Sequence, residues 1–277
     1  MKLKNKPELK LGCNWPPIVD KRNIKLSAVL NMKQLWIPTE FDAEVDLMGN
    51  SFPGRMWRND TKPDCVIAAI ANQSRVNEYI EQGHIINITD DDVVKEWRRQ
   101  SGGSGGLYML SAYNEWRKTG WDITNGKLNT AKTKGCWHKF FPQPVPVSTI
   151  QHLNIFAFAA LDSVEELYCS VYYLHGCQIA VRLYQTDIDQ FNHGETWHLT
   201  GNDGESKGGH AVFVPAYESN GNPVCWTWAK RQQMTPNWYK ARVYDTFGVV
   251  DNRNSFMANS PIDTAKLQEI LDGIVNS

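Results

Sequence analysis

Apolar residues change their spacing about halfway along the chain. In the first half they recur at helical spacing, which predicts three helices: one over residues 65–82, one opening at Thr89, and one over residues 109–119. Gly83 and Gly120 follow the first and third helices, in the position where glycine commonly ends a helix.

The second half alternates apolar and polar residues with a period of two. This spacing predicts strands at residues 179–183, 211–217, 224–228 and 243–250. Asn220 and Gly221 predict a tight turn between the second and third of these strands. A capping box at Ser163 opens one more helix, and a last helix begins at Ser260 and Pro261. Helices followed by antiparallel strands predict an α+β fold.

The junction at Cys65 is the first candidate for chemistry. A polar loop containing Pro63 runs directly into an apolar helix, and Asp64 is in the N-cap position. Cys65 is then the first helical residue, where free N–H groups and the helix dipole favour a thiolate. A single cysteine is more often a small buried apolar residue, so this position needs support from elsewhere in the chain.

Composition and charge exclude several classes of function. The net charge of −1 over 277 residues gives no electrostatic basis for binding nucleic acid or a membrane. The six cysteines are dispersed without a paired motif, and no secretory leader or apolar run of 18 residues occurs. We therefore expect free thiols, no cofactor and a cytoplasmic protein. A virion or another particle is the alternative setting.

His210 is the histidine with a special position among the seven. It follows two glycines and heads the apolar strand at residues 211–214, so its ring is expected at the mouth of a sheet. A thiolate nucleophile needs such a base or cation close to it. The 145 residues from Cys65 to His210 are within the ~130–150 typical of one class of cysteine peptidase.

These residues resemble the papain-like cysteine peptidases over most of residues 59–250. The resemblance implies a two-lobe α+β fold, with Cys65 on a helical lobe and His210 on an antiparallel, barrel-like sheet lobe. Asn59 is at the place of the family's oxyanion glutamine, and Gly105 and Gly106 resemble its cleft glycines.

The segment from Trp226 to Ala229 resembles the family's Asn-Ser-Trp-Gly motif, which places Trp228 at the cleft. Trp226 then replaces the asparagine that orients the histidine, so Trp226 and Thr227 mark the orienting region. An indole N–H only donates, so we expect a backbone carbonyl or a water to accept from His210. Because Asp64 adds a negative charge next to the thiol, it should oppose thiolate formation.

The resemblance implies a thiol hydrolase that acts on a peptide or protein through Cys65, His210 and an acyl-enzyme. The alternative is a papain-like scaffold with little or no turnover that binds or assembles within a larger particle. Three parts are expected: an N-terminal strap or extra segment at residues 1–58, a helical lobe at 59–141 and a sheet lobe at 142–277. Residues 1–58 also offer a surface for a protein partner.

A metal site is the weaker third interpretation. His193, His198 and Asp203 are close in sequence, and Cys136 with His138 could chelate an ion. Neither set has the spacing of a known zinc motif. We therefore expect no metal.

Overall fold

The computed structural model describes residues 9–30, 35–49, 52–124, 150–251 and 262–275. The helices in this part of the chain are α1 (Leu26–Val29), α2 (Ala43–Met48), α3 (Cys65–Gln82), α4 (Asp90–Ser101), α5 (Met109–Lys118), α6 (Val164–Tyr173), α7 (Gln185–His193), α8 (Pro236–Arg242) and α9 (Thr264–Val275).

The strands form one large antiparallel sheet and one two-stranded ribbon. They are β1 (Phe41–Asp42), β2 (Trp121–Thr124), β3 (Ile150–Leu153), β4 (Ala157–Ala160), β5 (Cys177–Tyr184), β6 (Ser206–Tyr217), β7 (Pro223–Thr227), β8 (Lys230–Gln233) and β9 (Val243–Val250). The large sheet has the order β4-β9-β5-β6-β7-β8, and β1 pairs with one end of β6. The ribbon joins β2 to β3. The α+β prediction is confirmed.

The apolar core is divided by the sheet. One cluster packs α3, α4 and α5 against inward residues of β6 and β9, with Ala211 and Phe247 at the junction. The second cluster covers the opposite side, where α6 and α8 pack on β5 and β6. Helix α3 is therefore fixed against the strand that carries His210, which brings the two candidate residues to one boundary.

The predicted helix ends agree with the structure because local capping decides them. Helix α3 ends at Gly83, whose φ of 72° is left-handed. Thr89 and Asp92 form a complete capping box at the start of α4. The Ser163 hydroxyl accepts the N–H of Glu166 at the start of α6.

The expected boundary between the lobes at residues 141 and 142 and the expected start of the last helix at 260–261 both lie outside the described residues. Helices α7 and α8 and the four-residue strands β2, β3, β4 and β8 were not predicted. The N-terminal residues join the sheet directly, since Phe41 pairs with Tyr217 and Asp42 pairs with Ala216. No helix among the described residues has the length and apolar character needed to span a membrane.

Candidate active site

Cys65 is the first residue of α3 and is 1% exposed. Burial raises the pKa of its thiol to about 12, and the nearby Asp64 carboxylate raises it as well. The nearby backbone of Ala211, Gly12 and Val66 lowers the pKa and acts in the opposite direction. Because desolvation is the largest of these effects, the thiol is protonated in this conformation.

Asp64 has the N-cap position of α3, but its side chain does not cap the helix. One carboxylate oxygen instead accepts from Nδ2 of Asn59 at 3.1 Å, while the other has no hydrogen-bond partner among the described residues. The carboxyl group is fully buried, and burial raises its pKa to about 7. Asp64 is therefore at the expected N-cap position, but its side chain does not make the expected capping hydrogen bond.

Asn59 does not offer a free N–H to the cysteine. Its Nδ2 donates to the Lys62 carbonyl at 3.2 Å and to Asp64 at 3.1 Å, which uses both amide hydrogens. The side chain ties the loop before α3 together. The assignment of Asn59 as an oxyanion donor is thus not met by this geometry, because the shorter side chain is bonded within its own loop.

His210 lies on β6 and is 1% exposed. Its Nε2 lies 2.8 Å from the hydroxyl oxygen of Thr227, and its Nδ1 has no partner among the described residues. The ring stacks on Trp228 with 4.3 Å between centroids and 11° between planes. Burial lowers the pKa of His210 to about 3, so the imidazole is neutral here.

Within the orienting region indicated by the sequence, Trp226 and Thr227, it is Thr227 that contacts His210. The Trp226 indole points away and donates to the Glu44 carboxylate at 3.0 Å. The hydrogen-bond partner of His210 among the described residues is a hydroxyl, and not the expected carbonyl or water. Trp228 lies under the His210 ring and is buried, rather than facing an open cleft.

Cys65 and His210 line the same cavity, whose volume is about 20 Å³. Asn59, Thr227 and Trp228 also line it. The fold thus brings the predicted residues to one cavity. They come from the loop before α3, the first residue of α3, strand β6 and the β7–β8 hairpin. The cavity has room for about one water molecule at most.

The cleft beside this cavity is filled by residues 11–15, which we call the bridging segment. The N–H of Cys13 donates to the carbonyl of Gly209 on the sheet side, at 3.0 Å. On the helical side, Leu107 N–H donates to the Gly12 carbonyl at 2.9 Å, and Asn14 N–H donates to the Leu107 carbonyl at 2.8 Å. The segment is thus paired to both walls, and the Gly12 backbone is close enough to Cys65 to lower the pKa of its thiol.

Three glycines permit this close approach. A Cβ on Gly12 would lie 2.0 Å from the Pro63 carbonyl oxygen, and one on Gly106 would lie 2.3 Å from the Gly12 oxygen. A Cβ on Gly209 would lie 2.1 Å from the Cys13 oxygen. Of the two glycines that resemble the family's cleft glycines, Gly106 lies against the bridging segment, whereas the Gly105 carbonyl accepts from the Trp97 indole.

The side chains of the bridging segment reinforce its position. Cys13 is buried in the cluster that contains Leu107 and Ala211, and burial raises the pKa of its thiol. The Trp15 ring packs edge-on against Tyr244 at 4.7 Å between centroids. The sequence predicted a strap or extra segment within residues 1–58, but nothing local in residues 11–15 indicated which residues they pair with.

The residues of the metal interpretation do not converge. His198 Nδ1 bonds the Thr196 carbonyl, Asp203 pairs with Arg242, and His193 ends α7. Within the described ranges, no group of three metal-ligating side chains is close enough to share an ion. Cys136 and His138 lie outside those ranges.

Comparison with solved structures gives clear likenesses. Xylellain, a cysteine protease from Xylella fastidiosa, superposes with a TM-score of 0.61 at 15% identity, covering 91% of this chain and 99% of that one. Procathepsin B from Trypanosoma congolense has a TM-score of 0.57 at 12% identity, covering 87% and 86%. A cysteine protease from Carica candamarcensis has 0.52 at 13% identity, covering 78% and 100%.

The chain has the papain-like fold. At these sequence identities the similarity shows a common fold. What the site can do depends on the residues of this chain. No protein-family model matches the sequence. No curated protein sequence matches it either. Within this fold, α3 begins at Cys65 and β6 contains His210.

Proposed function

We propose that the protein is a papain-like thiol hydrolase that cleaves peptide amide bonds with Cys65 and His210, and that the bridging segment keeps it latent. One observation carries this proposal. Residues 11–15 already lie between the two walls, paired through backbone N–H and C=O groups to Leu107 on one wall and Gly209 on the other. A cleft that binds one extended chain by its backbone offers the same groups to a peptide substrate.

The chemistry follows from the atoms that face the cavity. His210 Nδ1 has a free lone pair when Nε2–H donates to Thr227, so it can accept the Cys65 proton. The thiolate attacks the amide carbonyl, which forms a C–S bond. The imidazolium then protonates the leaving amine, and water hydrolyses the thioester. The Cys65 N–H at the start of α3 is the oxyanion donor we assign.

Latency follows from the burial of both reacting groups. With the bridging segment in place, the thiol is protonated and the imidazole is neutral because neither charged form is solvated. Displacement of the segment rehydrates the site and allows a thiolate–imidazolium pair. In this proposal, residues within 1–58 first cover the protein's own cleft. A partner protein that removes them from the cleft would activate the enzyme.

The test displaces the segment within the full chain. Gly12→Val places side-chain atoms against the Pro63 carbonyl and should expel residues 11–15 while leaving every group of the dyad unchanged. Parent and variant are treated with a thiol-directed epoxide at neutral pH, and the labelled cysteines are identified by mass spectrometry. We expect selective labelling of Cys65 in the variant and slow labelling in the parent.

Val19→Ala is the control, since Val19 is 84% exposed and outside the bridging segment. It should label as slowly as the parent. Gly12→Val combined with His210→Ala should lose the selectivity for Cys65, because the base is gone. A folded Gly12→Val protein with no preference among its thiols would contradict the proposal and favour the binding scaffold.

A further inference from the structure

A buried acidic residue of α2 is bonded to the hairpin that contacts His210. Glu44 is 2% exposed, and both of its carboxylate oxygens lie 3.0 Å from the Trp226 indole nitrogen. Arg231 donates to the same carboxylate at 2.9 Å and to Asp42 at 2.6 Å. The start of α2 is therefore bonded to the sheet by one charged donor, the Arg231 guanidinium, and one neutral donor, the Trp226 indole.

Glu44 bonds both strands of one hairpin. Trp226 on β7 and Arg231 on β8 are directly opposite each other in the antiparallel register. One carboxylate that accepts from both side chains thus fixes the two strands relative to each other. Thr227, the next residue along β7, is the hydrogen-bond partner of His210.

The turn of this hairpin is strained and needs support. Thr227 pairs with Lys230, so Trp228 and Ala229 form a two-residue turn, with φ values of 43° and 62°. Turns of this kind favour asparagine and glycine, because other residues adopt positive φ only with strain. Gly54 packs closely against the turn, since an added Cβ there would lie 2.2 Å from the Ala229 oxygen and 2.5 Å from the Trp226 ring.

We propose that Glu44 is a positioning residue for His210. It holds the β7–β8 hairpin so that the Thr227 hydroxyl and the Trp228 ring keep the imidazole in one orientation. Asp42, Glu44 and Gly54 are thus part of the construction of the site, separately from the bridging segment that covers it. The catalytic value of this role rests on the proposed function, whereas the orientation of the ring is measurable without turnover.

The readout is the His210 ring itself, observed by nitrogen-15 NMR of histidine-labelled full-length protein. His210→Asn identifies its signals by their loss. The parent should show one neutral tautomer, with a slowly exchanging Nε2 hydrogen. Glu44→Ala should give mixed tautomers and about tenfold faster exchange, since one buried hydrogen-bonded connection is lost. Glu44→Gln keeps an acceptor oxygen for Trp226 and should retain most of the parent behaviour.

Two further variants make the result specific. Trp226→Phe removes the indole N–H, keeps a ring in place, and should reproduce the effect of Glu44→Ala. Glu40→Ala changes an exposed acid before α2 and should leave the His210 signals as in the parent.

Lower thermal stability with unchanged His210 signals in Glu44→Ala would overturn the proposal and leave a structural role only. If Glu44→Ala does not fold, an unchanged ring in Trp226→Phe overturns it equally. These signals are read in the closed, full-length protein. A failure of the Gly12→Val labelling experiment would therefore sink the hydrolase proposal without affecting this one.

Discussion

The hydroxyl of Thr227 lies 2.8 Å from Nε2 of His210, and both residues are almost fully buried. A histidine without this partner would rotate or change tautomer more easily, which misplaces Nδ1. Thr227→Val keeps the shape and removes the hydroxyl. We expect the free energy of unfolding to fall by about 1–3 kcal/mol, since a buried ring nitrogen loses its partner. Chemical denaturation measures this directly.

The same substitution should slow the opened enzyme. In the Gly12→Val background, we expect Thr227→Val to lower the rate of Cys65 labelling by about tenfold or more, in line with ~1.4 kcal/mol per tenfold in rate. Thr227→Ser retains the hydroxyl and should stay close to the parent. Equal rates for the valine and serine variants would show that Thr227 does not orient His210.

Burial of neutral His210 predicts a pH dependence of stability. Its pKa is about 3 in the folded protein and ~6.5 in an unfolded chain. Between these values the unfolded state binds the extra proton, so this residue makes the free energy of unfolding fall as pH falls below ~6.5. His210→Gln should remove that contribution, which is up to about 1.4 kcal/mol per pH unit.

The measurement is denaturant unfolding at a series of pH values from ~6.5 to ~4.5 for parent and variant. The curves should converge as the pH falls, because only the parent loses the His210 contribution. His175 is a useful comparison: burial lowers its pKa to about 4, so His175→Asn should change the slope in the same direction. Parallel curves for parent and His210→Gln would mean that the ring is solvated.

The charge of Asp64 predicts a change in thiol acidity. This carboxylate raises the pKa of Cys65, and Asp64 itself is ionised mainly above pH 7 because burial raises its pKa to about 7. Asp64→Asn retains an oxygen for Asn59 and removes the charge. In the Gly12→Val background, the midpoint of Cys65 alkylation against pH should move down by about one unit.

Asp91→Asn is the matched control, since that exposed carboxylate pairs with Arg58 on the surface. It should leave the alkylation midpoint where it was. A midpoint that does not move in Asp64→Asn would show that the opened site solvates this charge.

Gly106 provides a second way to open the cleft. Gly106→Ala puts a methyl group 2.3 Å from the Gly12 oxygen, so it should displace the bridging segment from the opposite wall. Iodoacetamide should then label Cys65 in the full-length protein faster than in the parent, as in Gly12→Val. Ser104→Ala, in the same loop but exposed, is the control. An unlabelled Cys65 in folded Gly106→Ala would contradict the role of the segment as a cover.

The sequence predicted those elements whose signals are local. Gly83, the Thr89 capping box and the alternation in β5, β6, β7 and β9 are short-range patterns, and each appears in the structure. The four-residue strands are too short to show a period. Helix α8 is capped by Thr235 and begins at Pro236, but it has only seven residues. Those elements form because the rest of the sheet and core are there to pack against.

The site was harder to predict, because its geometry depends on contacts distant in sequence. Cys65 and His210 were found from a helix start and a strand start. The sequence indicated Trp226 and Thr227 as the orienting region but did not show that Thr227 is the one that contacts His210, because the Trp228 and Ala229 turn contains no glycine or asparagine to mark it. The bridging segment pairs with Leu107 and Gly209, and no pattern within residues 11–15 indicates either partner.

Hydrolysis by the opened protein tests the central claim most directly. Gly12→Val, Gly12→Val with Cys65→Ser, and the parent are incubated with a library of fluorogenic peptide amides at neutral pH. We predict turnover by Gly12→Val, none with Cys65→Ser, and a rate for the parent at least tenfold below that of Gly12→Val, in keeping with a closed cleft. Labelled but non-hydrolysing Cys65 across the library, in a folded Gly12→Val protein, would contradict the account of this protein as a latent thiol hydrolase.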